Sequence, residues 1–236
     1  MRIAGRRGRH AALLTRDAEG KRTRKLDSFV VQVWRRVLSA AAWVSPLEWI
    51  WFVFPRLRTH GWVDVWVFLN LALSLVALLV ASQVGFCTLV IGLVTYGGIR
   101  VLEVVVYQAN VVLFNPYRES PATANYAVRS YRRIVILALH NYVEAVVWFA
   151  AAYATYRHLF GGKADVLSTP VGALYFSMVT MTTVGYGEIT PANDGARALV
   201  IAHLLVAVFM TLVILARFVG FLPVPRTMDD TERPAT

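Results

Sequence analysis

Ala173-Leu174-Tyr175-Phe176-Ser177-Met178-Val179-Thr180-Met181-Thr182-Thr183-Val184-Gly185-Tyr186-Gly187-Glu188-Ile189-Thr190-Pro191 is the stretch from which the architecture follows. Just before it, Ser168 or Thr169 can cap a helix whose first position is Pro170, where the missing N–H costs nothing. The apolar run ending at Met181 gives that helix about 12 residues, or roughly 18 Å, against a bilayer core of roughly 30 Å. It must stop partway, and Gly185 and Gly187 oppose its continuation. Non-helical backbone at membrane depth is tolerated only where it is buried in protein or lines a water-filled path. Glycines alternating with Val184 and Tyr186 allow successive carbonyls to turn toward one axis while the larger side chains pack outward. One such loop cannot surround an ion; a ring of them can.

The rest of the chain supplies the membrane setting. Of 236 residues, 57% are hydrophobic and 16% charged, whereas a soluble domain is about 45–50% apolar and about a quarter charged. The apolar residues fall in blocks at 63–81, 86–114, 134–156 and 196–221, each close to the roughly 20 residues that a membrane helix needs. The expected fold is therefore all-α: four transmembrane helices plus a re-entrant pore helix and loop. The single cysteine, Cys87, excludes an intrachain disulfide and reads as a small buried residue. No short apolar core with a small-residue cleavage site follows the first arginines, so no cleavable signal peptide is expected.

Charge sets the expected topology. The net charge is +10, and much of the basic excess precedes the apolar blocks, in Arg2, Arg6, Arg7, Arg9, Arg16, Lys21, Arg22, Arg24, Lys25, Arg35 and Arg36. This matches the positive-inside pattern, with a further role in holding anionic lipid, rather than nucleic-acid binding. Arg118, Arg129, Arg132 and Arg133 place the linker before the third span on the same, cytoplasmic side. An even number of crossings must then lie between the two basic segments. Residues 29–54, rich in tryptophan, are accordingly expected to lie in the interface. The expected divisions are a basic cytoplasmic tail (1–27), an interfacial aromatic-rich helix (28–57), a two-span hairpin (62–114) and a cytoplasmic linker (115–131). A pore domain (132–222) and a short cytoplasmic tail (223–236) complete the chain. Both termini are expected in the cytoplasm of a cell-membrane protein.

Thr183-Val184-Gly185-Tyr186-Gly187, with Thr182, Glu188, Thr190 and Pro191 around it, resembles the filter of the tetrameric pore-loop potassium channels. The resemblance covers about 90 residues, from the third span to the end of the fourth, and is similar to that family's outer helix, pore helix, filter and inner helix. It implies a homotetramer, because each chain carries one copy of the loop. It implies that the carbonyls of Thr183, Val184, Gly185 and Tyr186, with the Thr183 hydroxyl, replace the hydration shell of a transported potassium ion. No cofactor is implied. The end of the pore helix near Thr182 would favour a cation through its partial negative charge. Glu188 replaces the aspartate more usual after the second glycine and would add negative charge at the outer mouth. Tyr175 and Phe176 stand where the family often has tryptophans. The last span lacks the family's frequent mid-helix glycine, reading Val206-Ala207-Val208, and Ala207 or Thr211 could line the cavity.

The remaining ionisable residues point away from other functions. Voltage sensing needs several arginines on one membrane helix, and the second span has only Arg100. An ion pair between Arg100 and Asp64, with Glu103 nearby, is the expected role. His140 and Glu144 lie four apart in the third span, so a hydrogen-bonded packing pair is expected there, with pH gating through these and His203 as the alternative. Residues 223–236 are too few for a nucleotide- or calcium-binding domain, so gating is expected from the membrane segments or the N-terminal tail. No metal-ligand cluster, phosphate loop or nucleophile motif points to an enzyme. The alternatives to a potassium channel are a weakly selective cation channel and a regulatory subunit of potassium transport.

Overall fold

The computed structural model describes residues 14–16, 22–24, 29–42, 45–54, 60–113 and 131–221. The expected linker at 115–131 falls almost wholly outside them, and the tail at 223–236 wholly so. Four long apolar helices form the body: α3 (His60–Val84), α4 (Thr88–Leu113), α5 (Tyr131–Thr155) and α7 (Asp194–Phe221). Each carries a stretch long and apolar enough to cross a membrane. The 12-residue α6 (Pro170–Met181) does not. The chain is an integral membrane protein with four candidate spans and a short helix consistent with a pore helix.

Ahead of them, β1 (Leu14–Arg16) and β2 (Arg22–Arg24) pair antiparallel within the expected tail. The stretch expected as one interfacial helix is two helices, α1 (Phe29–Ala42) and α2 (Pro46–Val53). The second begins at a proline, which suits a first helical turn and cannot sit in a continuous helix interior.

Polar contacts set the order of the four long helices. Asp64, near the start of α3, accepts from Arg133 near the start of α5 at 2.6 Å. Arg217, near the end of α7, donates to Gln108 near the end of α4 at 2.6 Å. At the opposite ends, the Gly85 backbone lies against the Arg157 guanidinium. The helices therefore alternate in direction, with the starts of α3 and α5 and the ends of α4 and α7 at one face. Here this is called the Arg133 face. A 3-10 turn (Arg157–Leu159), the strand β3 (Phe160–Gly162) and a second turn (Ala164–Ser168) cover the other face.

α5 is the hub. Ala145, Val146, Trp148, Ala150, Ala151, Tyr153 and Ala154 are all buried in the main core with Ala77, Leu78 and Ala81 of α3. Small side chains allow this close approach between helices. At Gly97 of α4 the Trp148 ring fills the space that a Cβ would need, 2.2 Å from its nearest carbon.

Charges within the spans are paired, but not as expected. Arg100 is buried and donates to both Glu144 oxygens, from Nε at 2.8 Å and Nη2 at 3.2 Å, and from Nη1 to Glu103 at 2.6 Å. The pairing of Arg100 with Asp64 is thus corrected. Asp64 lies near the Arg133 face and takes Arg133, whereas Arg100 sits about twelve residues, or roughly 18 Å, along α4 from its Thr88 end. The His140–Glu144 pair is corrected too, since His140 Nε2 meets the Val67 carbonyl at 3.2 Å and Glu144 is taken by Arg100.

Candidate functional site

Thr169 caps α6 with its side-chain oxygen, accepting from the Gly172 N–H at 3.0 Å, and Pro170 is the first helical residue. The helix descends from the second face and is fixed to α5 by Ser177, whose hydroxyl donates to the Val146 carbonyl at 2.7 Å. Behind it, Tyr153 packs edge-on to Phe160 and Phe176 and bonds His203 of α7 at 2.9 Å. His203 is itself fully buried and stacked on Phe149. α5, α6 and α7 are joined by this aromatic wall.

At Met181 the helix ends. Thr182 closes it, its N–H returning to Met178 and Thr180 carbonyls. The next three N–H groups also turn back to α6: Thr183 to Thr180 at 3.0 Å, Val184 to Val179 at 2.9 Å and Gly185 to Val179 at 3.4 Å. From there the backbone alternates in hand, with positive φ at Thr183 (59°), Gly185 (57°) and Gly187 (79°) and ordinary φ at Val184 and Tyr186. In such an alternation successive N–H groups turn to one side, leaving the carbonyls on the other. Thr183 is the one non-glycine with positive φ among the described residues. Holding a threonine there costs roughly 1–2 kcal/mol, which the three returning N–H bonds offset.

Residues 183–187 are all exposed in the single chain. Among the described residues, no backbone hydrogen bond ends on any of their carbonyls. The Val184 and Tyr186 side chains are 53% and 70% exposed. A cavity of about 340 Å³ flanks the loop, lined among others by Val179, Thr183, Tyr186, Val200 and Leu204. Beyond the loop, the Glu188 carbonyl accepts from the Lys163 N–H at 2.9 Å, and β4 (Ile189–Pro191) pairs antiparallel with β3. Both ends of the exposed segment are thus fixed, one to the C-terminus of α6 and one to this two-stranded ladder.

One contact beside the loop has no clear signature in the sequence. The Tyr175 hydroxyl donates to Glu188 Oε1 at 2.5 Å, and the Tyr175 and Tyr186 rings stack with centroids 6.4 Å apart. Lys163 Nζ approaches the other Glu188 oxygen at 3.5 Å. The Tyr175 bond, with help from Lys163, holds the Glu188 carboxyl below its ordinary range, and pushes the Tyr175 phenol up to about 12. The signal in the sequence was a tyrosine on the helix facing a carboxylate just past the glycines, but the thirteen-residue separation has no fixed geometry of its own. On the Glu188 side, the clamp is complete above about pH 4.3, the ordinary carboxylate value, and is lost as pH falls through the depressed value. On the Tyr175 side, it is complete below about pH 10 and is lost as pH rises toward about 12. In Tyr175→Phe, the Glu188 carboxyl is expected to titrate at higher pH, toward the ordinary carboxylate range. A Glu188 titration unchanged from wild type, followed by NMR, would contradict the clamp.

Thr211 is exposed on α7, but Ala207 has no exposed surface even in the single chain. Ala207 belongs to the main buried core of the single chain.

A family model described as "Ion channel" matches residues 142–223, which span the second half of α5, α6, the loop and α7. A region of 88 residues is 39% identical to "Two pore potassium channel a" of Oryza sativa subsp. japonica, covering 37% of this chain and 23% of that protein. Over 90 residues, identity to "Two pore potassium channel b" of the same organism is 34%, covering 38% and 24% of the two chains. "Two-pore potassium channel 4" of Arabidopsis thaliana is 32% identical over 91 residues, covering 38% and 31%. The chain thus spans about a quarter of the length of the rice relatives it matches. No solved structure matches. Residues 142–223 thus match a pore-loop ion-channel domain, with distant similarity to plant two-pore potassium channels.

Proposed function

We propose that this pore-loop ion-channel domain makes the chain one quarter of a potassium-selective channel, a homotetramer that conducts K⁺ passively. The observation that carries the reading is the exposed segment 183–187, whose carbonyls accept no backbone hydrogen bond among the described residues while both its ends are fixed. Backbone of this kind inside a membrane needs protein or a water-filled path around it. Four copies about an axis supply both, and the carbonyls of Thr183, Val184, Gly185 and Tyr186, with the Thr183 hydroxyl, take the place of an ion's hydration shell. Gly185 and Gly187 allow the backbone its hand. Thr182 presents the negative end of α6 toward the ion path, and Thr211 lines the cavity below.

α7 supports the same assembly. It is the most hydrophobic of the four long helices and also the least covered by its own chain, with 22% of its span buried against 39–50% for the others. The pore domain is proposed as residues 132–222 and the leading hairpin as 62–114. The Arg133 face is proposed to be cytoplasmic because basic residues collect there, which puts both termini inside. The basic residues of the N-terminus would then meet anionic lipid of the cell membrane.

Protein purified and reconstituted in liposomes is expected to release K⁺ down its gradient. Native mass measurement is expected to find particles of four 26.3-kDa chains. Particles of one chain only, without flux, would overturn the proposal. Flux that does not distinguish Na⁺ from K⁺ would favour a weakly selective cation channel, and flux only with an added partner chain would favour a regulatory subunit.

A further inference from the structure

We infer that α1 and α2 form a re-entrant hairpin that enters the membrane from the Arg133 face, docks on α4 and supports the second half of α7, so that its docking biases opening of the pore. The inference rests on the channel reading above for its functional part, but the docking can be tested without it.

The first observation is depth. Glu103 lies ten residues, roughly 15 Å, along α4 from its Leu113 end, near mid-membrane. The junction between the two short helices reaches that level: the Ser45 hydroxyl and the Leu47 N–H, the latter at 3.0 Å, both donate to Glu103 Oε1. Farther back along α1, Leu38 is buried with Val106 and Ala109 of α4. Later residues of α1 thus meet earlier residues of α4, so the two helices run antiparallel. α1 has 14 residues, roughly 21 Å, enough to climb to Glu103 and too short to cross. The expectation of a helix lying flat in the interface does not account for these contacts.

The second observation is the connection to the pore. Phe209 of α7 packs against the same Leu38–Val106–Ala109 cluster. Two turns on, Arg217 of α7 donates to Gln108 of α4. Any movement of α7 between residues 209 and 217 must therefore disturb α4 and the cluster that α1 completes. Through its other oxygen, Glu103 holds Arg100, which holds Glu144 of α5, the outer helix of the pore domain. This carboxylate thereby connects the hairpin tip to α5, while the Leu38 cluster connects α1 to α7.

The third observation is the balance of the attachment. Arg100 against two carboxylates leaves one formal negative charge, and it falls at the N-terminus of α2, where a helix favours an anion. In the docked arrangement that remaining charge is met by the Ser45 hydroxyl and the Leu47 N–H. The apolar hold is slight, however: among the described side chains of α1, Leu38 alone is buried, while Phe29, Val30, Trp34 and Val37 are at least half exposed. Ala41 packs against the same cluster from outside it, and an element with so few buried apolar side chains among those described belongs to the low-stability end of a structure, from which moving parts are drawn.

The test uses the full chain in liposomes. Glu103→Gln weakens the tip contact and Leu38→Asp removes the apolar one, about two turns back along the chain. Both are expected to shift K⁺ flux in the same direction by about fivefold or more, the range of ordinary allosteric couplings. In a Cys87→Ser background, cysteines at Leu38 and Val106, or at Leu38 and Ala109, are expected to form a disulfide on oxidation. In the Glu103→Gln background that disulfide restores wild-type flux, and a reductant brings the shift back. Unchanged flux in both variants, or shifts in opposite directions, would overturn the gating role. Failure of both cysteine pairs to cross-link would overturn the docking itself, whether or not the protein conducts. Efficient cross-linking in protein without K⁺ flux would uphold the docking and sink the channel reading instead.

Discussion

Gly185→Ala is expected to abolish K⁺ flux in liposomes while leaving the protein folded and assembled. At Gly185 the backbone has φ +57°, and a Cβ there would meet nothing within 4 Å in the single chain. The penalty is therefore conformational rather than steric. An alanine in the left-handed region costs roughly 1–2 kcal/mol per chain, so a ring of four would carry roughly 4–8 kcal/mol. Since about 1.4 kcal/mol is a factor of ten in an equilibrium, the ring would leave the alternating conformation, and its carbonyls would no longer converge. Both ends of the segment stay anchored, at Val179 and at the β3–β4 ladder, so the change is confined to the loop. Gly92→Ala is the control. Gly92 is exposed on α4 with ordinary helical geometry and open space around it, and alanine there is expected to leave flux intact. Wild-type flux in Gly185→Ala would mean that the loop is not the ion path.

Arg100→Leu is expected to produce the largest loss of stability. It leaves the Glu144 carboxylate, 1% exposed, without a counter-charge and with the Trp148 N–H at 3.4 Å as its remaining donor among the described residues, and leaves Glu103, 8% exposed, with the Ser45 and Leu47 donors. Removing one partner of a buried ion pair typically costs about 3–5 kcal/mol. Yield of assembled protein and melting temperature should both fall. The double variant Arg100→Leu/Glu144→Leu removes the charges together and is expected to recover much of the loss, since replacing a whole buried pair by apolar side chains is often neutral. A single variant that melts like wild type would mean that Glu144 finds another partner or takes up a proton at no cost. The same geometry argues against a voltage sensor: Arg100 is held from three nitrogens by two carboxylates, and it is the one arginine in the middle of a span.

Local chemistry makes the loop at 183–187 legible in the sequence alone. Thr169 and Pro170 announce a helix start, the distance to Gly185 limits its length, and alternating glycines permit the backbone that follows. Each signal lies within a few residues of the feature it specifies. Charge partners were less legible because helix packing chooses them. Asp64 and Arg100 look paired on a two-helix hairpin, yet α5 lies against both helices and supplies Arg133 to one and Glu144 to the other. The break at Pro46 could be read from the sequence. The descent of that break to Glu103 could not, because it depends on a carboxylate 56 residues away from Leu47. Thr183 is a further case: a β-branched residue with positive φ contradicts its own preference, and only the hydrogen bonds returning to α6 explain it.

If residues 183–187 select potassium as proposed, the reversal potential of the reconstituted wild-type protein must show it. With K⁺ on one side of the bilayer and Na⁺ on the other, the potential at zero current is predicted to follow the K⁺ gradient as that gradient is varied. A reversal potential that stays near zero with equal K⁺ and Na⁺ concentrations would contradict it.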